Sequence, residues 1–277
     1  MIRVDAHHHV WRVARGDYHW LTPHLPIHRD YALDDLRPLL NDITATVLVQ
    51  AAPTEAETDF MLTVAHESHN LVRGVVGWTD LAAPHAAARV AAMAKSPLLK
   101  GLRPMLQDVA DTDWILRPAV QPALVAMAQH GLRLDALIEP RHLPMLLSFA
   151  ERHPRLPIVI DHAAKPAIAH GAFDTWASDI ARVARETNGF CKLSGLVTEA
   201  SPQWHHDDLR RYVDHLVACF GPSRLMWGSD WPVVELAGGY ARWRTATRHL
   251  LADLDAGSHN AILGGTACIF YGLGKPA

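Results

Sequence analysis

The chain has 277 residues, of which 49% are hydrophobic and 20% charged, the balance of an ordinary folded protein. Its 26 basic and 29 acidic residues give a net charge of −3, which offers no general attraction for nucleic acid or an anionic membrane. No apolar run approaches the roughly 18 to 20 residues needed to cross a bilayer, so neither a membrane nor a nucleic-acid partner is expected. The N-terminus, MIRVDAHHHVW, carries no signal-peptide or lipidation pattern. Cys191, Cys219 and Cys268 are odd in number and far apart, which suits reduced thiols of a cytoplasmic protein. Histidine stands out, with 19 copies; it is the side chain that handles protons and metals near neutral pH.

Short Val/Ile/Leu-rich runs alternate with helix-patterned segments. The predicted strands are Ile2–His8, Ala45–Ala51, Val72–Trp78, Leu99–Met105, Leu132–Ile138, Pro157–Ala163, Gly189–Leu196 and Arg224–Asp230. Helical stretches include Glu55–His69, Ala83–Met93, Ala119–His130, Leu143–His153, Ala172–Glu186 and Asp207–Phe220. Eight such units without a Pro/Gly/Ser-rich linker predict an α/β fold, a single (β/α)8 TIM barrel over residues 1–277. A doubly wound sheet is the alternative, but it would normally carry a Gly-rich phosphate turn after its first strand. The loop from Trp11 to about Asp30 is long enough to be functional, and Trp20 within it can cover a substrate.

Alternation along the first strand places Asp5, His7 and His9 on one face and His8 on the other. At a barrel mouth, two imidazoles can address one metal or one carbonyl. Arg103, in Gly101-Leu102-Arg103-Pro104, would present a cationic fork there; Lys100, out of phase, should face the helices or solvent. In Ile160-Asp161-His162, alternation turns His162 inward and Asp161 away, to brace the backbone. A buried structural histidine is the plainer alternative for His162. Lys192 and Ser194 share a face of the seventh strand. A buried lysine needs a partner or a ligand, and Asp5 is one candidate. The eighth strand ends in Gly228-Ser229-Asp230-Trp231-Pro232. Asp230 reads either as a helix cap or as a carboxylate facing the first-strand histidines, with Trp231 as a pocket wall.

Taken in order, D-A-H-H-H-V-W, V-L-V-Q-A, G-L-R-P, I-D-H-A-A-K-P, K-L-S-G and G-S-D-W-P-V resemble the amidohydrolase superfamily over nearly the whole chain. The closer likeness is to its lactonase-containing branch, amidohydrolase family 2. The segments Asp17-Tyr18-His19-Trp20-Leu21 and Arg29-Asp30-Tyr31 look like its L-fuconolactonase-type subgroup. The resemblance implies hydrolysis of a sugar lactone. Asp230 would be the general base, with His7, His9, His162 and Arg103 around the carbonyl. Gln50, Trp20, Lys165, Lys192, Ser194 and Trp231 would hold the substrate. Dicarboxylate lactone hydrolysis and metal-dependent decarboxylation or amide hydrolysis are the alternatives.

Binuclear members of the superfamily carry a bridging lysine or glutamate on strand four and a histidine ending strand five. Here Arg103 stands at the first place, and Leu132–Ile138 contains no histidine. One divalent metal such as zinc can be held by His7, His9, His162 and Asp230, but the surrounding cations and the likeness to metal-independent lactonases imply that none is required.

Overall fold

Eight short aliphatic segments form parallel strands: β1 Val4–His8, β2 Ala45–Val49, β3 Val72–Gly77, β4 Leu99–Leu102, β5 Arg133–Ala136, β6 Ile158–Ile160, β7 Phe190–Leu193 and β8 Leu225–Trp227. They pair in chain order, β1 through β8. This computed structural model describes residues 2–274, so residues 1 and 275–277 of the expected domain lie outside the described residues. Ten α-helices occur among the described residues: α1 Leu33–Leu36, α2 Glu55–Glu67, α3 Ala86–Met93, α4 Gln121–Gln129, α5 Leu143–Arg152, α6 Asp174–Glu186, α7 His206–Phe220, α8 Gly239–Leu250, α9 Ala256–Asn260 and α10 Thr266–Tyr271. No helix among them is long and apolar enough to cross a membrane. The three cysteines are free thiols.

The strands curl into a nearly closed (β/α)8 barrel, not a doubly wound sheet. Its interior floor is a cluster that includes Val4, Ala6, Ala45, Val47, Val49, Val159 and Met226, plugged by Phe270 and Tyr271 of α10. A second, larger apolar layer joins the outer strand faces to the helices. Burial on both sides explains why the strands read as continuous apolar runs without alternation.

The seam between β8 and β1 is closed mainly by loop backbone and one carboxylate. Asp230 N–H donates to His7 O at 2.8 Å, and His9 N–H donates to Trp231 O at 2.7 Å. Asp5 Oδ1 accepts from the Ser229 N–H at 2.8 Å and from the His7 N–H at 3.2 Å. Burial raises the Asp5 carboxyl to about 6 against those hydrogen bonds.

This seam corrects the expected phase of β1. The β1/β2 register shifts between Asp5 and His8, so simple alternation fails across Ala6 and His7. Ala6 belongs to the interior cluster, yet His7 also points inward, while Asp5 serves the seam. His8 faces outward as expected, with Nε2 2.9 Å from Thr46 Oγ1. A second correction concerns β6, which stops at Ile160. His162, Ala163, Ala164 and Lys165 then have φ of 53°, 52°, 59° and 51°. Four left-handed residues in succession are costly for L-amino acids. The Trp176 indole N–H, donating to Ala163 O at 2.8 Å, is one contact that holds them. Lys100 is half-buried, with its stem against Gly74 on the neighbouring strand.

Asp5→Ala leaves two buried N–H groups without an acceptor, at a cost of about 1–3 kcal/mol each. A thermal melt should fall by about 5 °C or more, and Asp5→Asn should recover part of the loss by keeping an acceptor oxygen. An unchanged melt for the alanine variant would mean that the seam closes without this carboxylate.

Candidate active site

The C-terminal ends of the strands bring three imidazoles onto one carboxylate oxygen. From Asp230 Oδ1, His9 Nε2 lies 3.3 Å away, His7 Nε2 3.7 Å and His162 Nε2 3.7 Å. All four side chains are buried. Asp230 itself has φ of 58°, which turns its side chain back toward β1, and its carboxylate caps no helix. Two glycines make room for the rings. A Cβ at Gly195, where φ is +63°, would fall 2.4 Å from His162 Nδ1; one at Gly228 would fall 2.6 Å from His7 Cβ.

The far ring nitrogens are also partnered. His9 Nδ1 lies 2.8 Å from Val49 O and so carries a proton. His162 Nδ1 lies 2.9 Å from Ser194 Oγ. Burial holds His162 down at about 4 despite Asp230 nearby. Burial, and then the charge of Lys192, hold His7 well below its ordinary range. For Asp230, burial pushes the carboxyl up, but His162, the His9 hydrogen bond and His7 outweigh it and hold it well below the usual carboxylate range. Near neutral pH the cluster is therefore an ionised carboxylate beside neutral His7 and His162 rings.

Beneath it lies a second buried layer. Asp161 takes Lys192 Nζ at 3.0 Å, Arg103 Nη1 at 3.3 Å and His7 Nδ1 at 3.5 Å. Lys192 also reaches Asp135 Oδ2 at 2.5 Å, which accepts the Tyr271 hydroxyl at 2.6 Å. Burial raises Asp135 to about 6. For Asp161, the cation Lys192 first, then His7 and Arg103, overcome burial and hold the carboxyl well below its usual range.

A cavity of about 200 Å³ opens above this cluster, lined in part by His9, Trp20, Arg103, Gln107, His162, Lys165, Thr198 and Asp230. It is smaller than the roughly 300–1,000 Å³ of pockets for drug-sized ligands, and suits a single small ring. Trp20 hangs over it from the β1 loop, its indole N–H donating to Ala51 O at 2.7 Å. Lys165 Nζ stands 3.7 Å from Glu199 Oε1. A larger groove of about 460 Å³ runs past the N-terminal ends of β6 and β7, away from every residue of the cluster.

His9, His162, Asp230, Arg103, Trp20 and Lys165 thus line one cavity, and His7, fully buried, meets Asp230 from behind it. Gln50, Lys192, Ser194 and Trp231 are placed differently: each is buried, and none lines the cavity or pairs with the Asp230 carboxylate. The Gln50 amide donates to Arg103 O at 2.8 Å. Lys192 pairs with Asp135 and Asp161 and not with Asp5, which lies at the seam. Ser194 supports His162, and the Trp231 ring packs edge-on to Tyr31 at 5.2 Å. Asp161, expected to point away, is central because the chain leaves extended geometry right after it. Sequence reasoning also missed Asp135, Tyr271, Glu199, Gln107 and Thr198. Only Asp135 had a signal: an acid within the apolar run Leu132–Ile138.

The donor set fits a divalent ion. His7, His9 and Asp230 bring one ligand atom each to within 4.8 Å of one another, as do His7, Asp161 and His162. The His7 Nε2 atom is buried with no hydrogen-bond partner, an orphaned donor atom that a divalent ion can take up.

A parallel barrel with this histidine–aspartate mouth defines a hydrolase of the amidohydrolase type. The amidohydrolase family model matches residues 4–273, and the chain belongs to that family. It is 46% identical to an L-fucono-1,5-lactonase of Burkholderia ambifaria, over 99% of this chain and 97% of that protein. It is 38% identical to an L-fucono-1,5-lactonase of Burkholderia multivorans, over 100% and 98% of the two chains. A crystal structure of a B. multivorans amidohydrolase with bound Zn superposes with a TM-score of 0.92 at 36% identity, covering 99% of this chain and 100% of that one.

The His162 environment gives a pH prediction. Its ring should titrate near 4, below the ordinary 6.5, because burial disfavours the imidazolium. Histidine NMR shifts between pH 3 and 8 report this directly; a midpoint at or above 6.5 would show that Asp230 outweighs burial.

Proposed function

We propose that the chain hydrolyses a sugar lactone, L-fucono-1,5-lactone or a related aldonolactone, to the open sugar acid. The observation that carries this reading is the ionised Asp230 among three imidazoles in a small cavity, on a chain 46% identical end to end to an L-fucono-1,5-lactonase. Asp230 accepts a proton from water as the water oxygen bonds to the lactone carbonyl carbon. Arg103 and the histidines stabilise the negative charge that develops on the carbonyl oxygen. The ring C–O bond then breaks, and the proton returns from Asp230 to the departing ring oxygen. A carboxyl held this far below its usual range is a weak base but a willing donor to an alkoxide. The carbonyl-stabilising groups therefore carry much of the burden in the attack step.

The cavity wall favours a neutral sugar lactone over a dicarboxylate one. Of the two lining cations, Arg103 is engaged by Asp161 and by the Gln50 carbonyl, and Lys165 faces Glu199. No free pair remains among the lining residues to clamp two carboxylates. Lys165, Gln107, Thr198 and the face of Trp20 are left for ring hydroxyls. This set replaces Gln50, Lys192 and Ser194 in that role.

A divalent ion held by His7, His9, His162 and Asp230 would polarise the carbonyl when bound. We read it as dispensable, because Arg103 already brings positive charge to the same cavity.

Asp230→Asn should keep the fold and lactone binding while losing about 10² to 10⁴ in turnover. Near wild-type turnover would end the proton-acceptor assignment. A panel of aldonolactones and dicarboxylate lactones, assayed by acid release, should show L-fucono-1,5-lactone turned over at rates unaffected by exhaustive chelation. Loss in chelator with full recovery on stoichiometric zinc would instead make the metal essential.

A further inference from the structure

We propose that Lys192 is a positioning residue that fixes His7 as the Nε2–H tautomer and thereby opposes uptake of a divalent metal at the mouth. An ammonium has three protons and no lone pair. In Lys192 they are hydrogen-bonded to Asp135 Oδ2 at 2.5 Å and to His7 Nδ1 at 3.1 Å, with Asp161 Oδ1 ion-paired 3.0 Å away. The ammonium is fully buried, so no water replaces any of them. A ring nitrogen facing an ammonium must present its lone pair. The neutral His7 ring then carries its proton on Nε2, aimed toward Asp230 Oδ1.

His9, by contrast, donates from Nδ1 to Val49 O. The two rings on Asp230 therefore differ at the far nitrogen: Nδ1 accepts in His7 and donates in His9. A donor at His7 Nε2 is what a developing oxyanion needs. Zinc binds only the lone pair of an imidazole. To become a ligand, His7 must move its proton to Nδ1, where it would confront the ammonium. Asp161 Oδ1, 3.5 Å from Nδ1, would be the natural acceptor for that proton in a carboxylate–histidine–metal arrangement, but the Lys192 ammonium, 3.1 Å from the same Nδ1, opposes a proton there. The ammonium thus takes the place of the second-layer support that a metal-binding histidine requires.

The catalytic consequence rests on reading this cavity as the reaction site. The tautomer does not, because it is measured without substrate. The test uses the full-length, metal-free, 15N-labelled protein, with His7 resonances assigned by their loss in His7→Asn. Long-range 1H–15N spectra should show His7 protonated on Nε2 in the wild type. In Lys192→Met, which keeps length and removes the charge, the proton should move to Nδ1. Zinc affinity, measured by competition with a chromogenic chelator, should rise at least tenfold. An Nδ1–H ring in the wild type overturns the proposal. So does a folded Lys192→Met protein that retains the Nε2–H ring. Should that variant fail to fold, the wild-type spectrum alone decides.

Discussion

Everything at the barrel mouth depends on burying Asp161 against two cations. A carboxylate taken out of water is tolerated only when it is paired and hydrogen-bonded, and here Arg103 and Lys192 both turn toward it. That requirement fixes the guanidinium from β4 and the ammonium from β7, and it directs His7 from β1 toward the centre. Removing one partner of such a buried pair typically costs about 3–5 kcal/mol, so this layer is both the support of the site and a large stake in its stability. The upper layer, where three rings meet Asp230, inherits its geometry from the lower one.

The architecture was legible in the sequence because it follows from composition and period. Eight buried parallel strands must be short, aliphatic and separated by helices, and the chain reads that way throughout. The candidate site positions His7, His9, Arg103, His162 and Asp230 could be picked out because they stand at strand ends, where apolar runs give way to polar residues. The facing of neighbouring side chains was less so. Alternation predicts it only while the backbone stays extended and in register, and both conditions fail near the site. The β1 register shift puts Ala6 and His7 on the same side; the left-handed residues after Ile160 bring Asp161 and His162 in together. Neither leaves a local mark, since no glycine stands at those positions.

Partnership was the least legible property. Lys192 was recognisable as a buried cation in need of an acid, yet alternation offered Asp5, which instead seals the β8–β1 seam. Its true partners come from β5 and from the turn after β6, and one of them is tied in turn to Tyr271 of a C-terminal helix. Such long-range pairings follow from the closed barrel and not from any local pattern. The same cause separates expected from observed cavity walls. Gln50, Ser194 and Trp231 sit beside the mouth in sequence, but their side chains are used up in holding Arg103, His162 and the loop after β1.

The proposed lactone hydrolysis takes place in the small cavity above Asp230. The most direct measurement is a crystal structure of the Asp230→Asn variant soaked with L-fucono-1,5-lactone. The ring should lie between Trp20 and Arg103, its carbonyl carbon facing residue 230 and its hydroxyls meeting Lys165, Gln107 or Thr198. A lactone found instead in the larger groove beside the N-terminal ends of β6 and β7, or absent from the mouth at saturating concentration, would rule out this cavity as the reaction site.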